Sequence, residues 1–274
     1  MERLEAALSK AREMRRTALS AQPAPGRDGA LGPEAEWRRL PEIALAPQAA
    51  SRHRLAAAIG GRDAVPYDML RSRAIRTMRE KQWTRVAVTS PDAGCGKTTI
   101  AANLALALSR QKDLRVMLVD LDLRRPGINR VFGIASTRSV WEVLERKLPF
   151  EEVAVRLGEN LVIAGNAAPG RHPAETLHSA QTRDVLDEIE QRWRPDVMIF
   201  DMSPMLATDD NVGFLGNVDC AILVAAAEST RLSGIDGCEK ELAQLTNVLG
   251  VVLNKCRYLD GSESYAYEGP AGEA

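Results

Sequence analysis

The feature that most constrains this chain is the stretch "VAVTSPDAGCGKTT" at residues 86–99. A β-branched run breaks at Ser90-Pro91, a loop with Gly94 and Gly96 follows, and Lys97-Thr98-Thr99 opens an apolar helical pattern. Strand, glycine loop and helix in that order form a phosphate-binding loop, with Pro91 standing where the usual pattern has its first glycine or alanine. Gly94 and Gly96 let the backbone approach phosphate oxygens, so that the amides of Asp92, Ala93, Gly94, Cys95, Gly96, Lys97, Thr98 and Thr99 form an anion nest. The helix N-terminus adds partial positive charge, Lys97 reaches the β- and γ-phosphates, and the Thr98 hydroxyl is a magnesium ligand. ATP or ADP with Mg²⁺ is the expected cofactor set.

The 274 residues suffice for one α/β domain of about 200 residues with an appendage. Lys and Arg number 36 against 37 Asp and Glu, so the overall balance points to no nucleic-acid partner. The charge is nonetheless unevenly spread: the first eighty residues lean basic and the last seventeen acidic. Four cysteines without Cys-x-x-Cys spacing, one inside the phosphate loop, argue against disulfides and zinc and fit a reducing cytoplasm. Apolar runs such as "CAILVAAA" at 220–227 fall short of the roughly 20 residues of a membrane span, and "MERLEAALSKAREMRR" lacks the apolar centre of a signal peptide.

Residues 1–66 read as a short amphipathic helix over 1–20, a Pro/Ala/Gly-rich linker over 21–36 and a segment from Trp37 expected to be either unstructured or a docking element. Residues 67–257 read as the domain proper and 258–274 as a disordered tail. An Arg-rich helix at 67–81 precedes alternating elements. Strands are expected at 84–90, 114–120, 160–165, 196–201, 219–226 and 249–254, and helices at 97–110, 140–146, 181–193 and 233–247. The implied fold is α/β, a doubly wound and mostly parallel sheet of the phosphate-loop NTPase class. Ligands in such sheets sit beyond the carboxyl ends of the strands, so Asp120, Asp201 and Asn254 should gather there. Asp120 and Asp122, two residues apart on extended backbone, point to one side.

The phosphate loop, the Asp-x-Asp-x-Arg segment (Asp120, Asp122, Arg124) and the Asp201 strand together resemble the bacterial tyrosine kinases, or BY-kinases, of capsule and exopolysaccharide synthesis. The second motif is Walker A′, and the resemblance implies a P-loop NTPase of the deviant Walker A type. "RRPGINRVFGI", "LVIAGNAAPGRHPAETLHS" and "LGVVLN" extend the resemblance over roughly 67–257. It implies an ATP-dependent protein-tyrosine autokinase that regulates polysaccharide polymerisation and export. Lys97, Asp120, Asp122 and Arg124 are then catalytic, with Asp120 as base and Arg124 orienting the site. Thr98, Asp122 and Asp201 serve magnesium, largely through water, and Asn254 contacts adenine. Tyr258, Tyr265 and Tyr267 are the implied autophosphorylation sites. The resemblance also implies a homo-oligomer and a membrane-anchored co-polymerase or activator that recruits a cytoplasmic kinase to the inner face of the membrane.

Three departures stand out. The helix at 67–81 lacks the family's Glu-x-x-Arg-x-x-Arg pattern, with Ala74 at its third position and Arg73, Arg76 and Arg79 as a separate stripe; Asp201 is followed by Met-Ser-Pro; and the tail holds three tyrosines. The alternative reading is a partitioning or scaffold ATPase switch without kinase activity. Against it, Asp92 stands where those ATPases carry a second lysine.

Overall fold

The computed structural model describes residues 32–257; the expected N-terminal helix, the first part of the linker and the three tail tyrosines lie outside them. Eight strands form one sheet: β1 (Glu42–Ile43), β2 (Arg85–Thr89), β3 (Val116–Asp120), β4 (Ala154–Leu157), β5 (Leu161–Ala164), β6 (Val197–Asp201), β7 (Cys220–Ala226) and β8 (Asn247–Asn254). Their order is β1-β4-β5-β3-β6-β2-β7-β8. All neighbours run parallel except β4 and β5. The expected doubly wound, mostly parallel sheet is therefore present.

Alternation of side chains divides the core in two, as the two-residue period of a strand requires. Val86, Val88, Leu118, Ile199 and Ile222 face one layer; Ala87, Met117, Val119, Phe200 and Leu223 face the other. On the first face the helix Lys97–Ser109 lies against the sheet, its alanines at 101, 102, 105 and 107 letting it sit close enough to be buried almost all round. On the second face helix Ala180–Trp193 is amphipathic, burying Val185, Leu186, Ile189 and Trp193 and exposing Arg183, Asp184, Glu188 and Arg192, while Glu190 is buried as well.

The central strands need to be apolar on both sides, and they are fully buried along their length. The edge strand β8 is only half covered, with Val251 and Leu253 exposed. At the end of the sheet remote from the phosphate loop, Arg85 is fully enclosed. It is matched by Glu190 and Asp187 at 2.6 Å each, the multiple pairing a buried guanidinium requires.

Two expectations are corrected. The segment around Trp37 is not unstructured, and the linker stops short of Glu36, because helix Pro33–Arg39 begins there with Pro in its first turn. Trp37 is buried in the second-face core, and its indole Nε1–H donates to the Trp193 carbonyl oxygen at 2.8 Å. Burying a large ring whose one polar atom is satisfied orders the segment. β1 follows and joins the sheet, while Leu55 and Ala57 enter the first-face core. Packing thus begins well before Tyr67.

The Arg-rich helix runs Val65–Lys81. Its face toward helix Lys97–Ser109 buries Ala74, Ile75 and Met78. Arg73, Arg76 and Arg79 are exposed, with Arg76 near Glu80 and Arg79 near Asp113.

Candidate functional site

β2 ends at Thr89 in the middle of the sheet, and the chain turns through Ser90–Gly96 into helix Lys97–Ser109. Gly94 and Gly96 take φ of +82° and +95°, conformations that L side chains resist. Gly96 is the helix N-cap and offers no side chain, so the amides of the first turn keep their hydrogen-bonding capacity for an outside anion. Asp92, Ala93 and Gly94 are exposed, Cys95 is buried against the Thr230 hydroxyl, and Thr99 is half-buried with its carbonyl accepting from Asn103 Nδ2. The fully buried Asn103 also takes the Ala57 amide and donates to the Arg54 carbonyl, tying the loop's helix to the N-terminal segment.

The strand pairing does much of the assembly. Asp120 at the end of β3 lies in register beside Asp201 at the end of β6, and Val88 of β2 is in register with Asp201 on its other side. Lys97 reaches across the loop, its Nζ 2.7 Å from Asp122 Oδ2. Burial alone would lower the lysine's pKa; the charges of Asp201, Asp122 and Asp120, with the Asp122 hydrogen bond, hold it above its usual value. Lys97, Thr98, Asp120, Asp122 and Asp201 are thus brought together.

The three carboxylates differ. Asp120 is fully enclosed and accepts from the Gly127 and Ile128 amides at 2.9 and 3.0 Å through Oδ2 and from the Asp122 amide through Oδ1. It therefore braces the turn that carries Asp122. Burial and then Asp201 push its pKa well above the carboxylate range, against those amide bonds. Asp122 accepts the Arg125 amide through its second oxygen at 3.0 Å.

Asp201 is the outlier. Both of its oxygens are buried, and neither meets hydrogen-bonding geometry with any group of the described residues, although the nearby Thr98 hydroxyl favours its charge. Burial pushes its pKa up to about 6, against the pull of Lys97.

A buried carboxylate without a donor is costly unless something else satisfies it. Asp201 beside Thr98 and under an open amide nest fits a magnesium ion whose water and phosphate ligands fill the gap. Among the described residues no three His, Cys, Asp or Glu side chains form a cage on their own, so a cation here would draw on Thr98 and on phosphate oxygens.

Two expected participants stand at the margin. Arg124 is turned into a bidentate pair with the buried Asp210, both bonds 2.9 Å. Asn254 lies against the loop, its Nδ2 donating to the Cys95 carbonyl at 2.9 Å. A Cβ on Gly96 would fall 2.2 Å from that nitrogen, so loop and β8 end are fitted to each other. Sequence reasoning missed Asp210, whose Asp209-Asp210 pair just beyond β6 was the available signal, and Asn166, which donates to the Asp120 carbonyl oxygen at 2.8 Å.

The chain matches the CobQ/CobB/MinD/ParA nucleotide binding domain over residues 86–266. It is 32% identical over 213 residues to tyrosine-protein kinase YwqD of Bacillus subtilis (strain 168), covering 73% of this chain and 87% of that one. It spans only 26% of the longer tyrosine-protein kinase etk of Escherichia coli (strain K12). The solved kinase domain of Escherichia coli tyrosine kinase ETK superposes with a TM-score of 0.61 at 26% identity, covering 70% of this chain and 75% of that one. The VpsO kinase domain gives 0.64 at 27% identity, covering 77% and 100%.

Proposed function

The chain belongs to the CobQ/CobB/MinD/ParA nucleotide-binding family and, within it, to the bacterial tyrosine-protein kinases; from that premise we propose that it is an ATP-dependent tyrosine autokinase. The observation that carries the reading is the set of Lys97, paired with Asp122, and the unsatisfied Asp201 beneath a glycine-formed amide nest.

In this proposal the loop amides and Lys97 hold the β- and γ-phosphates, and catalysis is positioning and charge stabilisation. Magnesium, held by Thr98 and through water by Asp122 and Asp201, supplies further neutralisation of phosphate charge. A tyrosine oxygen forms the new bond to the γ-phosphorus as the β–γ bridging bond breaks, its electron pair leaving with ADP. The phenol, with a pKa of about 10, gives its proton to a carboxylate. Asp120 is the proposed acceptor, its raised pKa making it a stronger base than an exposed carboxylate. Arg124, clamped by Asp210, fixes the turn between Asp122 and the acceptor side. Asn254, whose Nδ2 donates to the Cys95 carbonyl of the loop, is the proposed adenine contact.

Tyr258, Tyr265 and Tyr267 are the proposed acceptors, and control of polysaccharide polymerisation through a membrane-anchored partner is the proposed setting. The described residues contain no helix long and apolar enough to cross a membrane; the proposed partner recruits the kinase to the membrane. The exposed Asp92 offers no cation for a nucleotide sandwiched between two subunits, which favours the kinase over the partitioning switch. The test is phosphotyrosine formation with ATP, Mg²⁺ and the cytoplasmic tail of a co-polymerase. Label is expected in the wild type and absent in Lys97→Met and after deletion of residues 258–274. A wild type without label under every partner condition would remove the proposal.

A further inference from the structure

Beside the Walker A′ turn a cleft of about 630 Å³ opens outside the phosphate nest. Arg124, Arg125 and Arg130 line it together with Asn129, Ser136 and Asn166, and no carboxylate does. Arg124 is neutralised by Asp210, but Arg125 and Arg130 are exposed and make no ion pair among the described residues. The field of Arg130 is felt nearby: after burial, it is the next cause holding the His53 pKa below its ordinary value.

The cationic pair is placed by the reaction site itself. Arg125 is fixed by its amide bond to Asp122, and Arg130 sits on helix Ile128–Phe132, whose first amide is bound by Asp120. Whatever fills the cleft therefore lies next to the two carboxylates of the Walker A′ turn. Two unpaired guanidinium groups in one cavity repel each other, and a carboxylate-bearing occupant relieves that cost with bidentate hydrogen bonds.

The occupant is indicated by the chain's own charge distribution. Beyond Arg257 the sequence holds Asp260, Glu263, Glu268 and Glu273 and no Lys or Arg, interleaved with Tyr258, Tyr265 and Tyr267. Resting on the kinase reading above, we propose that the Arg125–Arg130 cleft is the acceptor subsite, which holds the carboxylates of Glu263 and Glu268 and so presents Tyr265 or Tyr267 to Asp120 and Asp122. Glu263 is two residues from Tyr265, about 7 Å of extended chain, and Glu268 adjoins Tyr267, so a glutamate seated in the cleft keeps a tyrosine within about 7 Å of chain from it.

The test uses the full chain and a fluorescent peptide of residues 258–274, read by anisotropy. Charge reversal in Arg125→Glu/Arg130→Glu is expected to weaken binding by at least about tenfold. A peptide carrying Glu263→Lys and Glu268→Lys should bind wild type equally poorly and regain affinity for the reversed protein. Magnesium-ADP affinity, measured in parallel, should be unchanged in the double variant. Equal peptide affinity for wild type and the double variant overturns the subsite. Phosphotyrosine formation by the wild type is scored separately, so that peptide binding without transfer would retain the cleft and remove the kinase reading.

Discussion

Lys97 Nζ and Asp122 Oδ2 lie 2.7 Å apart, with the two side chains only 12% and 4% exposed. The phosphate-loop lysine is thus already bound to an anion, and a nucleotide's phosphates must share it. Asp122→Asn should raise ADP affinity in EDTA by about tenfold, roughly 1.4 kcal/mol, while removing most of the gain that Mg²⁺ gives the wild type. Titration calorimetry with and without magnesium reads both effects.

Asp201 makes a pH prediction. Its folded pKa, about 6, lies above the ordinary aspartate value of 3.8, so the unfolded chain loses this proton first. Stability from this group therefore falls as pH rises from about 4 to about 6, and the deficit persists above that range. Asp201→Asn should flatten that part of the pH profile and stabilise the nucleotide-free protein at pH 7.5 by on the order of 1–3 kcal/mol. Denaturant unfolding across the range checks it.

Gly96 carries a φ of +95° and would place a Cβ against Asn254. Gly96→Ala should cost about 1–2 kcal/mol from backbone conformation alone, with crowding in addition. Asn254→Ala in the same chain should relieve the crowding and leave the backbone cost, so the double variant recovers only part of the melting temperature.

Trp37 is 2% exposed and hydrogen-bonded to a carbonyl 156 residues away. Trp37→Ala should destabilise the whole domain by about 3–5 kcal/mol, and Trp37→Phe by less. Urea unfolding followed at the remaining tryptophans distinguishes a domain-wide loss from local fraying.

The central strands were legible because each is a short apolar run needing burial on both faces, and the observed ends fall within two residues of the expected ones. Local signals also located the phosphate loop and the strand-end aspartates that the β3–β6 register sets side by side. What was hidden depends on partners distant in sequence. Trp37 sits between prolines with no periodicity, and its order comes from Trp193. The β4 strand escaped because "AVRL" is four residues long and its antiparallel pairing rests on the short turn at Gly158, with φ of +65°. The clamp of Asp210 on Arg124 and the seat of Asn254 against Cys95 are likewise products of packing, as is the difference between a braced Asp120 and an unsatisfied Asp201.

The most direct measurement is the magnesium dependence of ADP affinity in the wild type and in Lys97→Met. If the nest, the lysine and the acidic trio grip a metal-bound phosphate, Mg²⁺ should tighten wild-type binding by at least about tenfold, or about 1.4 kcal/mol, and Lys97→Met should bind far more weakly under both conditions. Wild-type affinity that is the same with and without magnesium, or indifferent to loss of the lysine, would contradict the account.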